Sequence, residues 1–324
     1  MHAYNDYPIN GYGNMIMDER RMAAFVAALQ LAIQPGDVVL DIGTGTGIFA
    51  FLACRFGAAR VYAVEPDNAI ALARRSARGI PLADRITWIQ GITTELELPE
   101  RVDVAVGDLH GTLPFFKGNI ESMFDARKRH LKPDGRLIPV RDRLYARPAE
   151  SEREYANVRH PWRENPYDLD LSEGAALVAN RWWRAAPTPV DEAAFLAPAA
   201  HWGDIVYGET EHSRLANTLQ WELQRAGTLH GVYVWFDGDL GHGQGYSNTP
   251  LLPEMVYGRA FFPLEQAVVV GAGDRLTLDL SVRLLQGEHL YRWRTVVTAS
   301  DGQRKASFDQ STFKSRIAEP ESLQ

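Results

Sequence analysis

The sequence predicts a doubly wound α/β domain followed by an antiparallel β domain, and three observations carry that prediction. The run Val38-Val39-Leu40-Asp41-Ile42-Gly43-Thr44-Gly45-Thr46-Gly47 is a short β-branched strand that breaks into a turn with glycine at every second position. Apolar strands and helices then alternate up to about residue 140, the pattern of a parallel sheet covered on both faces. Beyond it, Leu276, Leu278, Leu280, Val282 and Leu284 alternate with Thr277, Asp279, Ser281 and Arg283, a period of two with one buried face.

Residues 1–34 read as a helical lead-in or lid. Tyr4, Tyr7 and Tyr12 stand among Asn, Pro and Gly; a helix then opens at Met15 and buries Met22, Phe25, Val26, Leu29, Ala32 and Ile33. Gln34-Pro35-Gly36-Asp37 stops it. Residues 35–140 form the α/β domain. After the glycine turn an apolar helix starts at Ile48, and Val61-Tyr62-Ala63-Val64 is a second strand ending in Glu65. Ile86-Thr87-Trp88-Ile89 is the third strand, followed by Gly91-Ile92-Thr93-Thr94-Glu95. Val102-Asp103-Val104-Ala105-Val106 is the fourth and ends in Gly107-Asp108-Leu109-His110-Gly111. A helix over 124–131 is stopped by Lys132-Pro133-Asp134-Gly135, and Arg136-Leu137-Ile138-Pro139 follows as strand. Ligands of open α/β sheets lie at the carboxyl ends of the strands, so the site belongs at those strand ends.

Residues 141–324 read as a β barrel or sandwich. Strands are expected over 230–236, 260–264 and 267–270, turns at Asp237-Gly238-Asp239 and Asp301-Gly302, and a long hairpin around Gln286-Gly287-Glu288. An insertion over about 155–187 differs, with Leu169, Leu171, Leu177, Val178, Trp182 and Trp183 among polar residues in a helical pattern. Such an insertion either packs on its own domain or forms an arm for a partner.

Composition narrows the function. The 324 residues carry a formal charge of −7 and a pI near 5.7, which argues against holding nucleic acid by phosphate neutralisation. Cys54 is the only cysteine, so there is neither an intramolecular disulfide nor a cysteine metal cluster. No histidine has ligand spacing, and no metal is expected. The first residues have neither a basic nor an apolar leader, and no apolar run approaches membrane-spanning length. A soluble, cytoplasmic protein without nucleic-acid or membrane partners is expected.

The glycine turn selects the cofactor. A dinucleotide fingerprint is G-x-G-x-x-G; here the spacing is G-x-G-x-G after an acidic residue, which favours a cofactor without phosphates. Glu65, one strand-helix-strand unit further on, is placed to accept two ribose hydroxyls. On these residues the sequence resembles the class I S-adenosylmethionine-dependent methyltransferases, whose fold is a Rossmann-like doubly wound sheet.

The order of motifs resembles, over nearly the whole chain, the protein arginine methyltransferases. Tyr7 is placed like a tyrosine of their N-terminal motif, and Met15-x-x-Asp18-x-x-Arg21 looks like their M-L-x-D-x-x-R. Gly57-Ala58-Ala59-Arg60-Val61, Glu65-Pro66, Leu98-Pro99, Ala126-Arg127, Leu131-Lys132-Pro133-Asp134-Gly135, Trp162-Arg163-Glu164-Asn165-x-Tyr167 and Asn248-Thr249-Pro250 follow in the family's order. The resemblance implies an S-adenosyl-L-methionine site of Met15, Arg21, Asp41, Gly43, Thr44, Gly45, Gly47, Ile48, Glu65, Pro66, Thr94, Glu95 and Asp108, with Arg21 on the cofactor's carboxylate. It also implies that the insertion is a dimerisation arm with Trp162, Trp182 and Trp183 as anchors, and hence a homodimer.

The loop after the fourth strand departs from the family's two-glutamate clamp. The first glutamate becomes Asp108 and the second Lys117; the family's T-H-W histidine falls within Met255-Val256-Tyr257 and is missing. One carboxylate with one ammonium is close to neutral and does not favour a guanidinium. The candidate catalytic residues are Asp108 first, to orient or deprotonate the nucleophile, His110 as an alternative proton acceptor, Lys117 as a partner for an acceptor's carboxylate, and Tyr7. The function expected is N-methylation of a small molecule, free amino acid or peptide in specialised metabolism. Two alternatives stay open: an arginine methyltransferase with a rearranged clamp, and an inactive cofactor-binding scaffold.

Overall fold

The computed structural model describes residues 8–164 and 166–316, arranged in two compact units. In the first, helix α1 (Ile9–Met17) and helix α2 (Glu19–Ala32) are separate. The sequence predicts one helix opening at Met15; instead Asp18 adopts extended backbone between the two, and its carboxylate accepts the Arg21 N–H at 3.1 Å. That is an N-cap, which ends one helix and starts the next. Phe25, Ala28, Leu29 and Ala32 form the buried face of α2.

Strands β1 (Val38–Ile42), β2 (Arg60–Glu65), β3 (Ile86–Gln90), β4 (Val102–Gly107) and β5 (Leu131–Ile138) form a parallel sheet in the order β3-β2-β1-β4-β5. Helix α3 (Ile48–Arg55) follows β1, α4 (Ala69–Ala77) follows β2, and α5 (Asn119–Asp125) follows β4. Val39, Leu40, Val61, Ala63, Val104 and Ala105 have no exposure, as strands covered on both faces require. Each apolar side chain fully buried there contributes about 1.5–3 kcal/mol. The order reverses between β1 and β4, so their carboxyl ends flank the crevice where open α/β sheets hold ligands.

Two features of this unit differ from the sequence reading. The helix expected over 124–131 starts at Asn119 and widens into a π turn over Ala126–His130. The expected stop, Lys132-Pro133-Asp134-Gly135, lies inside β5. It is a bulge: β4 pairs Val102 with Leu131 and then Val104 with Arg136. The unit also takes in two later segments, Asp204–His212 and Asp237–Ser247, so the boundary read at residue 140 does not separate all of its residues.

The strands that follow are antiparallel and belong mostly to the second unit. Strand β6 (Arg141–Ala149) is followed by helices α6 (Glu152–Arg163) and α7 (Ser172–Ala179), then β7 (Trp183–Arg184), β8 (Ala200–Val206), β9 (Arg214–Glu222), β10 (Gly227–Gly241), β11 (Gln244–Ser247), β12 (Ala260–Val270), β13 (Arg275–Leu285), β14 (Glu288–Thr298) and β15 (Arg304–Ser311). One sheet runs β7-β12-β10-β6-β8, with β11 paired to β10; the other runs β15-β14-β13-β9. Leu276, Leu278, Leu280 and Val282 are buried along β13, as their period of two requires. Gln286 and Gly287 turn the β13–β14 hairpin with φ of 52° and 81°, the left-handed pair that two-residue hairpins favour. The two runs expected at 260–264 and 267–270 are one strand, β12. Asp237-Gly238-Asp239 is not a turn but part of β10; the chain reverses at His242 and Gly243, both with positive φ.

Within the insertion, α6 and α7 pack through the Trp162 ring, which fills the space where Gly174 has no Cβ. Trp162 remains 38% exposed and Tyr167 76%. Trp182, expected to anchor a partner, stacks instead on Phe262 at 6.2 Å and meets the edge of Tyr291. Trp183 pairs with Phe261 across β7 and β12. Among the described residues no helix is long and apolar enough to cross a membrane.

Candidate active site

The turn after β1 is held from β2. Gly43 and Thr44 N–H groups both donate to the Val64 carbonyl at 2.9 and 3.0 Å, and the Gly45 N–H donates to Glu65 Oε2 at 2.7 Å. Gly43, Gly45 and Gly47 all take positive φ. A Cβ on Gly43 would collide with Leu109, one on Gly45 would stand 2.8 Å from the Tyr12 ring, and one on Gly47 2.7 Å from Trp88. Glycine is therefore required twice over, by backbone conformation and by space. Ile48, half-buried, begins α3 directly after it.

The acids of the turn are buried. Asp41 Oδ2 accepts from Thr44 Oγ1 at 2.5 Å, whereas Asp41 Oδ1 is buried without a hydrogen-bond partner. Burial pushes the Asp41 carboxyl up to about 7, against the lowering effect of the Thr44 hydroxyl. Glu65 is raised by burial too; its Oε1 accepts the Asp67 N–H at 3.0 Å. A carboxylate offers about four acceptor sites, so Glu65 retains acceptor capacity. An orphan acceptor beside a cradle without Cβ atoms fits a cofactor bearing an ammonium and ribose hydroxyls, the groups of S-adenosylmethionine.

A second set of residues meets at the end of β4. Arg21 Nε donates to Asp108 Oδ2 at 2.5 Å, and Arg21 Nη1 donates to the Met15 carbonyl at 2.9 Å. The guanidinium carbon lies 5.5 Å from the Phe25 ring centre and 5.2 Å from that of Phe49. Asp108 Oδ1 stands 3.0 Å from His110 Nδ1, and Asp142 Oδ2 stands 2.8 Å from His110 Nε2. Tyr207 donates its hydroxyl to Asp142 Oδ2 at 2.7 Å and accepts from Asn119 Nδ2 at 3.3 Å. The Tyr207 and Tyr246 rings both meet the imidazole edge-on at 6.4 Å. Burial by itself would lower the His110 pKa; the charge of Asp142 and the hydrogen bonds to both carboxylates override it and raise it to about 10. Both ring nitrogens of His110 are turned to carboxylates, an arrangement that places neither to take a proton from an acceptor and counts against its reading as an alternative base.

The remaining candidates fall into place unevenly. Lys117 is half-buried with a φ of 45°; its ammonium lies 5.5 Å from the Phe116 ring centre and is near enough to Glu65 to favour that carboxylate's charge. Pro66 is half-buried beside Glu65. Thr94 and Glu95 are exposed on a short turn, whereas the neighbouring Thr93 is buried with Oγ1 unpartnered. Tyr7 lies outside the described residues. The sequence reading missed Tyr12, Asp142, Tyr207 and Tyr246. Only Tyr12 carried a local signal, as an aromatic of the lead-in.

Comparison with known proteins shows the family and the fold. A methyltransferase-domain family profile matches residues 39–135. The chain is 30% identical over 277 residues to a probable histone-arginine methyltransferase 1.3 of Arabidopsis thaliana, covering 82% of this chain and 52% of the relative. It is also 30% identical over 271 residues to an arginine N(omega)-methyltransferase of Streptomyces achromogenes subsp. streptozoticus, covering 82% and 74%. It thus spans about half the length of the plant relative and about three quarters of the bacterial one. The fold matches the Trypanosoma brucei PRMT1 enzyme-prozyme heterotetrameric complex with AdoHcy at a TM-score of 0.80, with 21% identity over 93% of this chain and 96% of that one. Arabidopsis thaliana protein arginine methyltransferase 10 matches at 0.79, with 21% identity over 94% and 97%.

Proposed function

The chain belongs to the S-adenosylmethionine-dependent methyltransferases built like the protein arginine methyltransferases, and from that premise we propose that it methylates a nitrogen of a small carboxylate-bearing acceptor. A free amino acid or a short peptide fits this description. The reading is supported by the charges at the strand ends: Asp108 is already paired with Arg21 and His110, and Lys117, at the position where the resemblance puts a second carboxylate, brings an ammonium near Glu65. An acceptor that brings its own carboxylate would be attracted by that ammonium.

Bound S-adenosylmethionine supplies an electrophilic methyl group on a sulfonium. Arg21 would hold its carboxylate, since a guanidinium has five donors and pairing with Asp108 does not exhaust them. Asp41 Oδ1 would accept from its ammonium and Glu65 from its ribose hydroxyls. Asp108 would orient the acceptor nitrogen and receive a hydrogen bond from it, so that the contribution of the protein is mainly alignment. The insertion over 155–187 would pair two copies through its exposed Trp162 and Tyr167. The name of the Streptomyces relative supports a guanidino nitrogen of arginine as the acceptor atom.

The test is mass spectrometry of the protein incubated with S-adenosylmethionine and two acceptor pools, arginine-rich proteins in one and free amino acids, guanidines and short peptides in the other. Methylation confined to the second pool is expected. Methylation of protein arginine alone would overturn the small-acceptor reading, and no transfer in either would favour a cofactor-binding scaffold.

A further inference from the structure

We propose that Asp142 and Tyr207 are positioning residues, which hold the His110 ring as a fixed cation so that it presents the Asp108 carboxylate to the acceptor. The clause about the acceptor rests on the methyl-transfer reading above; the state of the ring does not.

Donors and acceptors around the ring decide its state. Both nitrogens of His110 face carboxylate oxygens, Nδ1 at 3.0 Å from Asp108 and Nε2 at 2.8 Å from Asp142. A neutral ring has one donor and one acceptor, so in either tautomer one nitrogen lone pair would point at an anion with no water to intervene. The Tyr207 hydroxyl stands 3.3 Å from Nε2 and the Tyr246 hydroxyl 3.4 Å from Nδ1, both farther than the carboxylates, so the doubly protonated ring is the state that gives each carboxylate a donor. Side-chain exposure is 0% for His110 and Asp142 and 6% for Asp108, so the mismatch could not be relieved by solvent.

With the ring protonated on both nitrogens, each carboxylate receives donors from two sides. Asn119 donates to Tyr207, Tyr207 donates to Asp142, His110 donates to Asp142 and to Asp108, and Arg21 donates to Asp108 from the other side. The Tyr207 hydroxyl keeps its proton, its pKa raised well above the usual value by burial and the charge of Asp142. The groups that meet the ring are therefore Asp108 on its own loop, Asp142 at the start of β6, Tyr207 after β8 and Tyr246 on β11, whose hydroxyl lies 3.4 Å from Nδ1. Asp142 touches neither Arg21 nor the glycine turn in any of these contacts. Its effect on Asp108 passes through His110.

The experiment is ¹⁵N NMR of the His110 ring in the full-length protein, with and without S-adenosylhomocysteine, joined to pH–rate profiles. The wild-type ring is expected to stay doubly protonated from about pH 6 to about pH 9. Asp142→Asn should lower its titration by about 1–3 units, and Tyr207→Phe should lower it by less. In Asp142→Asn, kcat should fall with a new alkaline limb, by about 100-fold at the alkaline end, while affinity for S-adenosylhomocysteine stays as in the wild type. A neutral wild-type ring at neutral pH overturns the proposal. So does an Asp142→Asn profile that is unchanged, or one lowered equally at every pH, which a merely structural role would give. If Asp142→Asn does not fold, the wild-type shifts and Tyr207→Phe decide. If no acceptor is methylated, the proposed function fails while the ring titration still tests the cation.

Discussion

The carboxylate of Glu65 accepts a 2.7 Å hydrogen bond from the backbone N–H of Gly45, so the acid that ends β2 is tied to the middle of the glycine turn after β1. A bond from a backbone N–H to a buried carboxylate is worth about 1.5–3 kcal/mol. Glu65→Gln keeps the shape of the side chain but removes the charge and one acceptor. Calorimetric titration with S-adenosylhomocysteine should then show affinity weakened by about tenfold or more, the equivalent of about 1.4 kcal/mol. An unchanged affinity would assign Glu65 to bracing the turn alone.

Gly45→Val asks for more than the turn can give. The φ of 54° is a left-handed value that a β-branched residue avoids, and its Cβ would stand 2.8 Å from the Tyr12 ring. Binding of S-adenosylhomocysteine should be lost, while the far-ultraviolet signal of the antiparallel unit persists. Retained binding would contradict the placement of the cofactor on this turn.

Asp41 makes stability depend on pH. Its folded pKa of about 7 lies above the unfolded value near 3.8, so the folded state holds a proton that the unfolded state gives up in between. Stability from this group is full below the unfolded value, falls as pH rises toward about 7, and is level above it. The loss is on the order of 4 kcal/mol. Asp41→Asn removes the dependence and should raise the unfolding midpoint more at about pH 8 than at about pH 4, as chemical denaturation at the two values can measure. An equal effect at both would contradict the assignment.

Lys117→Ala should raise KM for a carboxylate-bearing acceptor by about fivefold, the scale of a partly exposed ion pair. kcat should change little. An analogue with the carboxylate amidated should bind both proteins alike; if it distinguishes them as strongly as the acid does, Lys117 is not a carboxylate partner.

Light scattering after size exclusion tests the arm. Twice the chain mass is expected, with Trp162→Ala shifting the population toward the monomer. A wild-type monomer at micromolar concentration would sink the arm reading.

What could be read in the sequence was what is local. The glycine turn, Glu65 and the hairpin of β13 and β14 each declare themselves within a few residues, because a turn's φ requirements and a strand's alternation are written at adjacent positions. Asp18 was legible as part of a motif but not as a cap, since a capping role depends on where the chain bends. Asp108 and His110 were visible on one loop. Asp142, Tyr207 and Tyr246 were not, because each sits on a different later element and only tertiary pairing brings them to one ring. Thr93 and Thr94 differ by one position on a tight turn, and nothing in a threonine pair says which one points inward.

The sharing of Asp204–His212 and Asp237–Ser247 with the first unit sets an order of events during synthesis. Strands β1 to β5, the glycine turn and the His110–Asp142 pair all leave the ribosome before Tyr207, and Tyr246 comes later still. A nascent chain can therefore assemble its parallel sheet early, yet the ring of His110 gains its first aromatic wall only with Tyr207 and its second only with β11. A chain arrested between Asp142 and Tyr207 would carry the glycine turn with both aromatic walls of the His110 ring still to come.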